Sequence, residues 1–133
     1  MPNKSKKILS EISPGELLDK ISILEIKLNK IRDKNNLKEI KKEYEILKKV
    51  EKLNIKSMDK IKELFKELIK VNLNLWNTED DIRICEKNKD FGKTFIQLAR
   101  SVYLDNDKRA KIKSEINVIL DSNIKEIKEY VNY

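Results

Sequence analysis

Polar side chains occupy positions in this chain where helical spacing favours apolar ones. An apolar line through Ile61, Phe65 and Leu68 continues, in steps of three and four residues, into the stretch LWNTEDDIRICE at 75–86. The line passes Asn72 and Trp76 and then reaches three charged residues, Glu79, Arg83 and Glu86. An ionised group buried without a partner costs several kcal/mol, so each of these charges requires a counter-charge or a ligand.

Other chemically capable groups on or near apolar faces are Asp19 and Glu25 of the first predicted helix, and Arg100 and Arg109 further along the chain. Asp80 and Asn106 are near these groups in sequence but are less clearly directed inward. One hypothesis is an internal ion-pair network, because three carboxylates can be matched against three arginines, whose planar guanidinium groups bind carboxylates well. The carboxylates of that network are Glu25, Glu79 and Glu86, and the arginines are Arg83, Arg100 and Arg109. In this reading the protein is a binding or structural module.

The alternative hypothesis is a ligand pocket between helices. Carboxylate oxygens suit Mg²⁺, and arginines suit an anion such as a phosphate. The metal candidates are again Glu25, Glu79 and Glu86. This reading predicts a Mg²⁺-dependent enzyme or a binding protein for a phosphorylated small molecule, either a nucleotide or a sugar phosphate.

Composition excludes several classes of chemistry. The 133-residue chain has no histidine and one cysteine, Cys85, which rules out Ser-His-Asp triads, Cys-His pairs and an internal disulfide framework. Without a neighbouring histidine we interpret Cys85 as a small hydrophobe. No apolar run is long enough to cross a membrane, and the start MPNKSKKIL lacks a signal-peptide core. We therefore expect a cytoplasmic protein.

The net charge of +7 raises a third hypothesis, nucleic-acid binding. Between Lys30 and Lys70 there are 14 basic and 8 acidic residues, a difference of +6 that accounts for most of the excess. These lysines alternate with Glu, Ile, Leu and Asn, as on a solvated helix face, and no aromatic residues are interleaved to stack on bases. We rank nucleic-acid binding below the other two hypotheses.

The elements that must position these residues are helices. Two Gly, two Pro and 40% charged residues are typical of long amphipathic helices, so we predict an all-α protein. The expected architecture is a single helical domain over residues 13–133, preceded by a basic arm over 1–12. It is a bundle of four to five helices with a long central antiparallel helix pair.

Local signals predict the helix boundaries. Ser13-Pro14-Gly15-Glu16 combines an N-cap, a proline at the first helical position and a capping-box glutamate, so the first helix begins there and runs to about residue 33. This helix is apolar on two sides, which predicts a central position. The later helices are predicted over about 37–53, 57–88, 90–103 and 107–120, with a turn at 104–107. The tail is expected to dock as a last helical turn or as an extended arm.

The heptad-like run from Leu37 to Leu75 is most simply an antiparallel helix pair. Its competitor is a coiled coil that joins two copies of the chain, so a homodimer through residues 37–75 is the alternative. Trp76 is interpreted first as a core anchor and second as part of a ligand site.

Five motifs resemble an uncharacterised family of short bacterial and viral proteins, a domain of unknown function. The motifs are SPGELLDK at 13–20, ILEIK at 23–27, LWNTEDDIR at 75–83, LARSVY at 98–103 and NDKRAKIKSEIN at 106–117. The resemblance implies a shared fold but no established activity, and its motifs coincide with the misplaced polar residues above. This chain has Asn77 and Thr78 where the family prefers Asp and Ile.

The all-α nucleotide pyrophosphohydrolases offer a looser analogy of architecture, because they are small helical proteins with acidic pairs that bind Mg²⁺. This chain has Glu16 with Asp19 and Glu79 with Asp80, but not their full acidic pattern. We therefore rank such an enzyme below a non-catalytic binding module.

Overall fold

The structure is a bundle of four helices. The computed structural model describes residues 6–133 and contains α1 (Pro14–Lys30), α2 (Lys34–Asn54), α3 (Asp59–Lys87) and α4 (Lys93–Ile119). The predicted all-α helical bundle is confirmed. The predicted basic arm lies partly outside the described residues, and residues 6–12 form no helix or strand and are exposed. No helix within residues 6–133 is both long and apolar enough to cross a membrane.

Helix α1 begins at the predicted cap. The Ser13 hydroxyl accepts a hydrogen bond from the backbone N–H of Glu16 at 3.1 Å, and Pro14 occupies the first turn. The capping box is not completed, because the Glu16 carboxylate pairs instead with Lys113 of α4 at 2.7 Å. Helix α1 contacts all three other helices, as its two apolar sides predict.

The hydrophobic core is shared by α1, α3 and α4. It consists of Leu17, Leu18, Ile21, Ile61, Leu64, Leu68, Val71, Ile112 and Ile116. Ile21, Leu68 and Ile116, one from each helix, have no exposed surface. Fully burying one such side chain contributes about 1.5–3 kcal/mol, so these three helices form the stable unit of the fold.

The long antiparallel pair is formed by α3 and α4 rather than by residues 37–75. Helix α3 is unbroken over 29 residues, about 44 Å at 1.5 Å per residue. Among the four described helices, the backbone of α2 approaches only that of α1, and α2 has no fully buried residue. Helix α2 is therefore an outer helix that lies against the central α1.

The predicted turn at residues 104–107 is wrong, because α4 is one continuous helix through that segment. No Gly or Pro interrupts it, and Asp and Asn cost a helix only about 0.7 kcal/mol or less each, which tertiary contacts easily offset. The helix predicted from residue 90 also begins slightly later in the structure. Gly92 is the N-cap, and its backbone N–H donates to the Asp90 carboxylate at 3.1 Å.

The C-terminal tail, residues 120–133, takes the extended form of the two predicted alternatives. Asp121 has a left-handed backbone (φ 50°), which turns the chain away from α4. The tail then returns along the bundle, where the Glu126 carboxylate binds Lys113 at 2.9 Å and the Tyr133 hydroxyl donates to Asp107.

Candidate functional site

The centre of the site is Asp19, a carboxylate with no exposed surface on α1. Its Oδ1 accepts hydrogen bonds from Nδ2 of Asn72 on α3 and from Nε of Arg109 on α4, each at 2.9 Å. Its Oδ2 accepts a second bond from Nη2 of Arg109. The Asn72 amide also donates to the Ser22 hydroxyl at 2.8 Å. One buried carboxylate thus connects the three core helices.

Arg109 is fixed by a two-point bond to Asp19. Such paired N–H···O contacts are stronger and more directional than single ones. The bond to Asp19 raises the pKa of the Arg109 guanidinium and outweighs the opposing effect of burial. The Arg109 side chain keeps 28% of its surface exposed, so it is held in one position without being fully enclosed.

A second ion cluster, one turn further along α4, fastens the tail. Nζ of Lys113 lies 2.7 Å from Glu16, 2.9 Å from Glu126 and 4.0 Å from Asp19. Burial lowers the pKa of Lys113, but its bonds to Glu16 and Glu126 raise it more, and the net shift is upward. The bond to Lys113 holds the pKa of Glu126 below its usual value. The tail is therefore attached to the core through charge.

The helix crossing beside these clusters requires a glycine. The backbone N–H of Gly15 donates to Asn117 Oδ1 at 2.7 Å, and a Cβ at Gly15 would lie 2.5 Å from the backbone oxygen of Lys113. No side-chain movement relieves a contact with backbone. Gly15 thus sets the close approach of α1 to α4, which brings Asp19 to Arg109.

A cleft of about 400 Å³ opens beside Arg109, between α1, α3 and α4. Its polar and aromatic lining comes from Asn72, Trp76, Glu79, Asp80, Arg83 and Arg109, and Ile23, Ile26 and Leu75 supply an apolar wall. Trp76 is half-buried, and its accessible part lines the cleft. Six of the predicted candidates therefore meet in one place.

The two arginines of the cleft differ in freedom. Arg83 is 3.4 Å from Glu79, one helical turn away, and both side chains are mostly exposed. An exposed pair of this kind contributes about 0–1 kcal/mol, so Arg83 can leave Glu79 at little cost. Arg109 is fixed, whereas Arg83 is free to turn toward a ligand.

Four candidate residues lie elsewhere. Glu25 accepts a hydrogen bond from the Tyr44 hydroxyl at 3.1 Å, between α1 and α2. Burial and this bond raise the pKa of Tyr44. Glu86 pairs with Lys89 at 3.1 Å, and Arg100 is exposed on α4. Asn106 faces Arg109 Nη1 at 3.5 Å and lines a different groove, beneath the tail.

The predicted ion-pair network is replaced by a different one. Of the six groups proposed for it, only Glu79 and Arg83 pair with each other within the described part of the chain. The metal candidates Glu25, Glu79 and Glu86 have three different surroundings. Across residues 6–133 no cluster of three or more Asp, Glu, His or Cys could hold a metal ion. Glu79 and Asp80 are the two carboxylates that share a cleft.

Sequence reasoning missed four polar residues: Ser22, Lys113 and Glu126 in the two clusters, and Asn117 at the helix crossing. For three of these residues, a helical spacing of three or four residues in the sequence could have indicated the contact. Ser22 follows Asp19 by three residues, and Arg109, Lys113 and Asn117 are spaced by four on one face of α4. Glu126 has no such signal, because it lies in an irregular tail. Within residues 6–133 every buried side-chain nitrogen and oxygen has a hydrogen-bond partner.

A family model described as a family of unknown function (DUF6165) matches residues 8–133. The chain belongs to this family. The match covers all four helices and both ion clusters, so the fold and the cleft lie within the family's domain. Neither the curated proteins nor the solved structures provide a match.

Proposed function

We propose that this protein is a small binding module whose cleft holds a phosphorylated small molecule together with Mg²⁺. The observation that carries the proposal is Arg109, which Asp19 fixes in place and which shares a cleft with Trp76 and Arg83. A preorganised guanidinium binds phosphate with little loss of side-chain entropy. Trp76 offers an aromatic face on which a nucleobase or a sugar can stack.

The charges of the cleft indicate why the ligand would bring a metal ion. Arg83 and Arg109 contribute two positive charges, Glu79 and Asp80 contribute two negative ones, and the buried Asp19 behind Arg109 adds a third. A bare phosphate would therefore meet a net charge of −1. Mg²⁺ is usually bound through one or two carboxylates together with phosphate oxygens and water. Glu79 and Asp80 could contact the ion while the arginines contact the phosphate.

The internal network supports the reading as a binding module rather than as a catalyst. Both oxygens of Asp19 are used in holding Asn72 and Arg109, so this carboxylate has a structural task. Its role is to position the cleft wall. The enzyme hypothesis would need a further carboxylate in the cleft to activate water, and neither Glu25 nor Glu86 lines it.

Tryptophan fluorescence tests the proposal, because Trp76 is the only tryptophan. We expect the fluorescence of Trp76 to change saturably when ADP or pyrophosphate is added together with Mg²⁺. The same compounds added without Mg²⁺ should change the fluorescence much less. Arg83→Ala should weaken binding about tenfold or more, since a hydrogen bond to a charged group contributes about 1.5–3 kcal/mol. Arg100→Ala, an exposed arginine of α4 outside the cleft, is the matched control.

Two outcomes would contradict the proposal. One is the absence of any fluorescence change across nucleotides, sugar phosphates and pyrophosphate in the presence of Mg²⁺. The other is equal affinity of the wild type and Arg83→Ala, which would locate the binding outside the cleft.

A further inference from the structure

A second groove lies between the C-terminal half of α2 and the N-terminal half of α3, away from the cleft. Its volume is about 780 Å³. The floor is apolar and includes Leu18 and Ile61, which belong to the core, and Phe65 and Ile55 beside them. Met58, at the rim, is 39% exposed. An incoming apolar side chain would therefore contact the partly exposed Ile55, Phe65 and Met58, which lie above the buried core residues.

The rim of this groove is strongly basic. It carries Lys48, Lys49, Lys52, Lys56, Lys62 and Lys66, with Glu51 as the single carboxylate. Glu51 pairs with Lys48 at 2.7 Å. Within residues 6–133, no carboxylate lies within 4.0 Å of the amino group of any of the other five lysines. The lining thus has a net charge of +5, and one of its six lysines is paired within the groove.

The shape of the groove follows from the helix arrangement. Helices α2 and α3 both approach α1, but the backbone of α2 does not come close to that of α3. The groove thus has a helix on each side and Leu18 of α1 at its base. A depression of this form accepts an amphipathic helix, whose apolar residues at i, i+3, i+4 and i+7 point into it. The polar sides of such a helix would face the lysines.

We propose that this lysine-rimmed groove docks an acidic amphipathic helix of a partner protein. Apolar contacts with Phe65 and Met58 would supply affinity, and the lysines would select acidic partners over basic ones. A second copy of this chain is a poor occupant, because its net charge of +7 would repel the same rim. The proposal does not depend on the function of the cleft.

The test compares two synthetic amphipathic helices that share the same leucines. One carries Glu on its polar face and the other carries Lys at the same positions. We expect the Glu peptide to bind ¹⁵N-labelled protein at least tenfold more tightly than the Lys peptide, with affinity that falls as salt is added. Amide signals that shift should come from residues 48–66 and the neighbouring part of α1.

Charge reversal at the rim provides the variants, since exposed lysines can be replaced without disturbing the core. Lys52→Glu and Lys66→Glu should each weaken binding of the Glu peptide severalfold, and Lys87→Glu, at the far end of α3, should not. Arg83→Ala should leave peptide binding unchanged, so failure of the groove and failure of the cleft are distinguishable.

Four results would overturn the proposal. They are equal binding of the two peptides, no binding of either, signal shifts confined to residues outside the groove, and dimers of the free chain that Lys66→Glu dissociates. Binding of phosphatidylglycerol vesicles with no response to the Glu peptide would reassign the groove to a membrane surface and would also refute it.

Discussion

Replacing Asp19 by Asn removes the negative charge at the centre of the site and keeps the shape of the side chain. The Asp19 side chain is 1% exposed, and Arg109 and Asn72 both depend on its oxygens. Removing one partner of a buried ion pair costs about 3–5 kcal/mol. Because the Arg109 side chain is 28% exposed, water can recover part of this loss. We expect Asp19→Asn to lower the free energy of unfolding by about 3 kcal/mol.

Urea is the appropriate denaturant, because it does not screen charge. With a urea dependence of about 1.5 kcal/mol per molar, the loss moves the unfolding midpoint down by about 2 M. Glu79→Gln is the matched control, since it makes the same chemical change opposite Arg83. That pair is exposed, and the control should lose less than about 1 kcal/mol.

A double-mutant cycle that combines Asp19→Asn with Arg109→Met measures the interaction between these two side chains. If Asp19 and Arg109 stabilise the fold through each other, the double variant should lose less than the sum of the single variants, by about 2 kcal/mol. Strictly additive losses, or a loss below about 1 kcal/mol for Asp19→Asn, would refute the role assigned to this pair.

Three further predictions concern the crossing, the core and the tail. Gly15→Ala should destabilise the fold by about 1–3 kcal/mol in urea unfolding, because its Cβ meets backbone oxygen at 2.5 Å, whereas Gly92→Ala, at an N-cap with its nearest contact at 3.3 Å, should cost less. Leu68→Ala, at a position with no exposed surface, should cost about 2–5 kcal/mol in the same assay. The bond to Lys113 lowers the pKa of Glu126, so its stabilisation is complete above the ordinary value of 4.5 and disappears as the pH falls through the lower folded value. The backbone amide NMR signals of residues 124–133 should move toward random-coil positions in that range, and Glu126→Gln should show the same change already at neutral pH.

The start of α1, its central position and the importance of Asp19 could be predicted from the sequence, because each depends on a residue type with a single physical role. Ser13 and Pro14 can begin a helix but cannot continue one easily, so the start of α1 was predictable. The two apolar sides of α1 required neighbours on both sides. Asp19 was identified because a carboxylate on a buried face needs a partner, and the structure supplies Arg109.

The surroundings of the other candidate residues depend on how helices distant in sequence are rotated and aligned against each other. Glu25, Glu86 and Arg100 fit a helical line in sequence, but small rotations of each helix direct them to different surroundings. Composition alone could not distinguish the turn predicted at 104–107 from helix, because no residue there forbids either. The partner of Lys113 in the tail, Glu126, is set by long-range packing that no local pattern encodes.

The most direct test of the proposed function is a titration of ¹⁵N-labelled protein with Mg²⁺ and pyrophosphate to about 1 mM, followed by NMR. We predict that the indole N–H of Trp76 and the Nε–H of Arg83 and Arg109 shift together along one binding curve, only when both components are present. The Nε–H of Arg100 should stay unchanged. Stationary cleft signals, or identical shifts without Mg²⁺, would contradict the account.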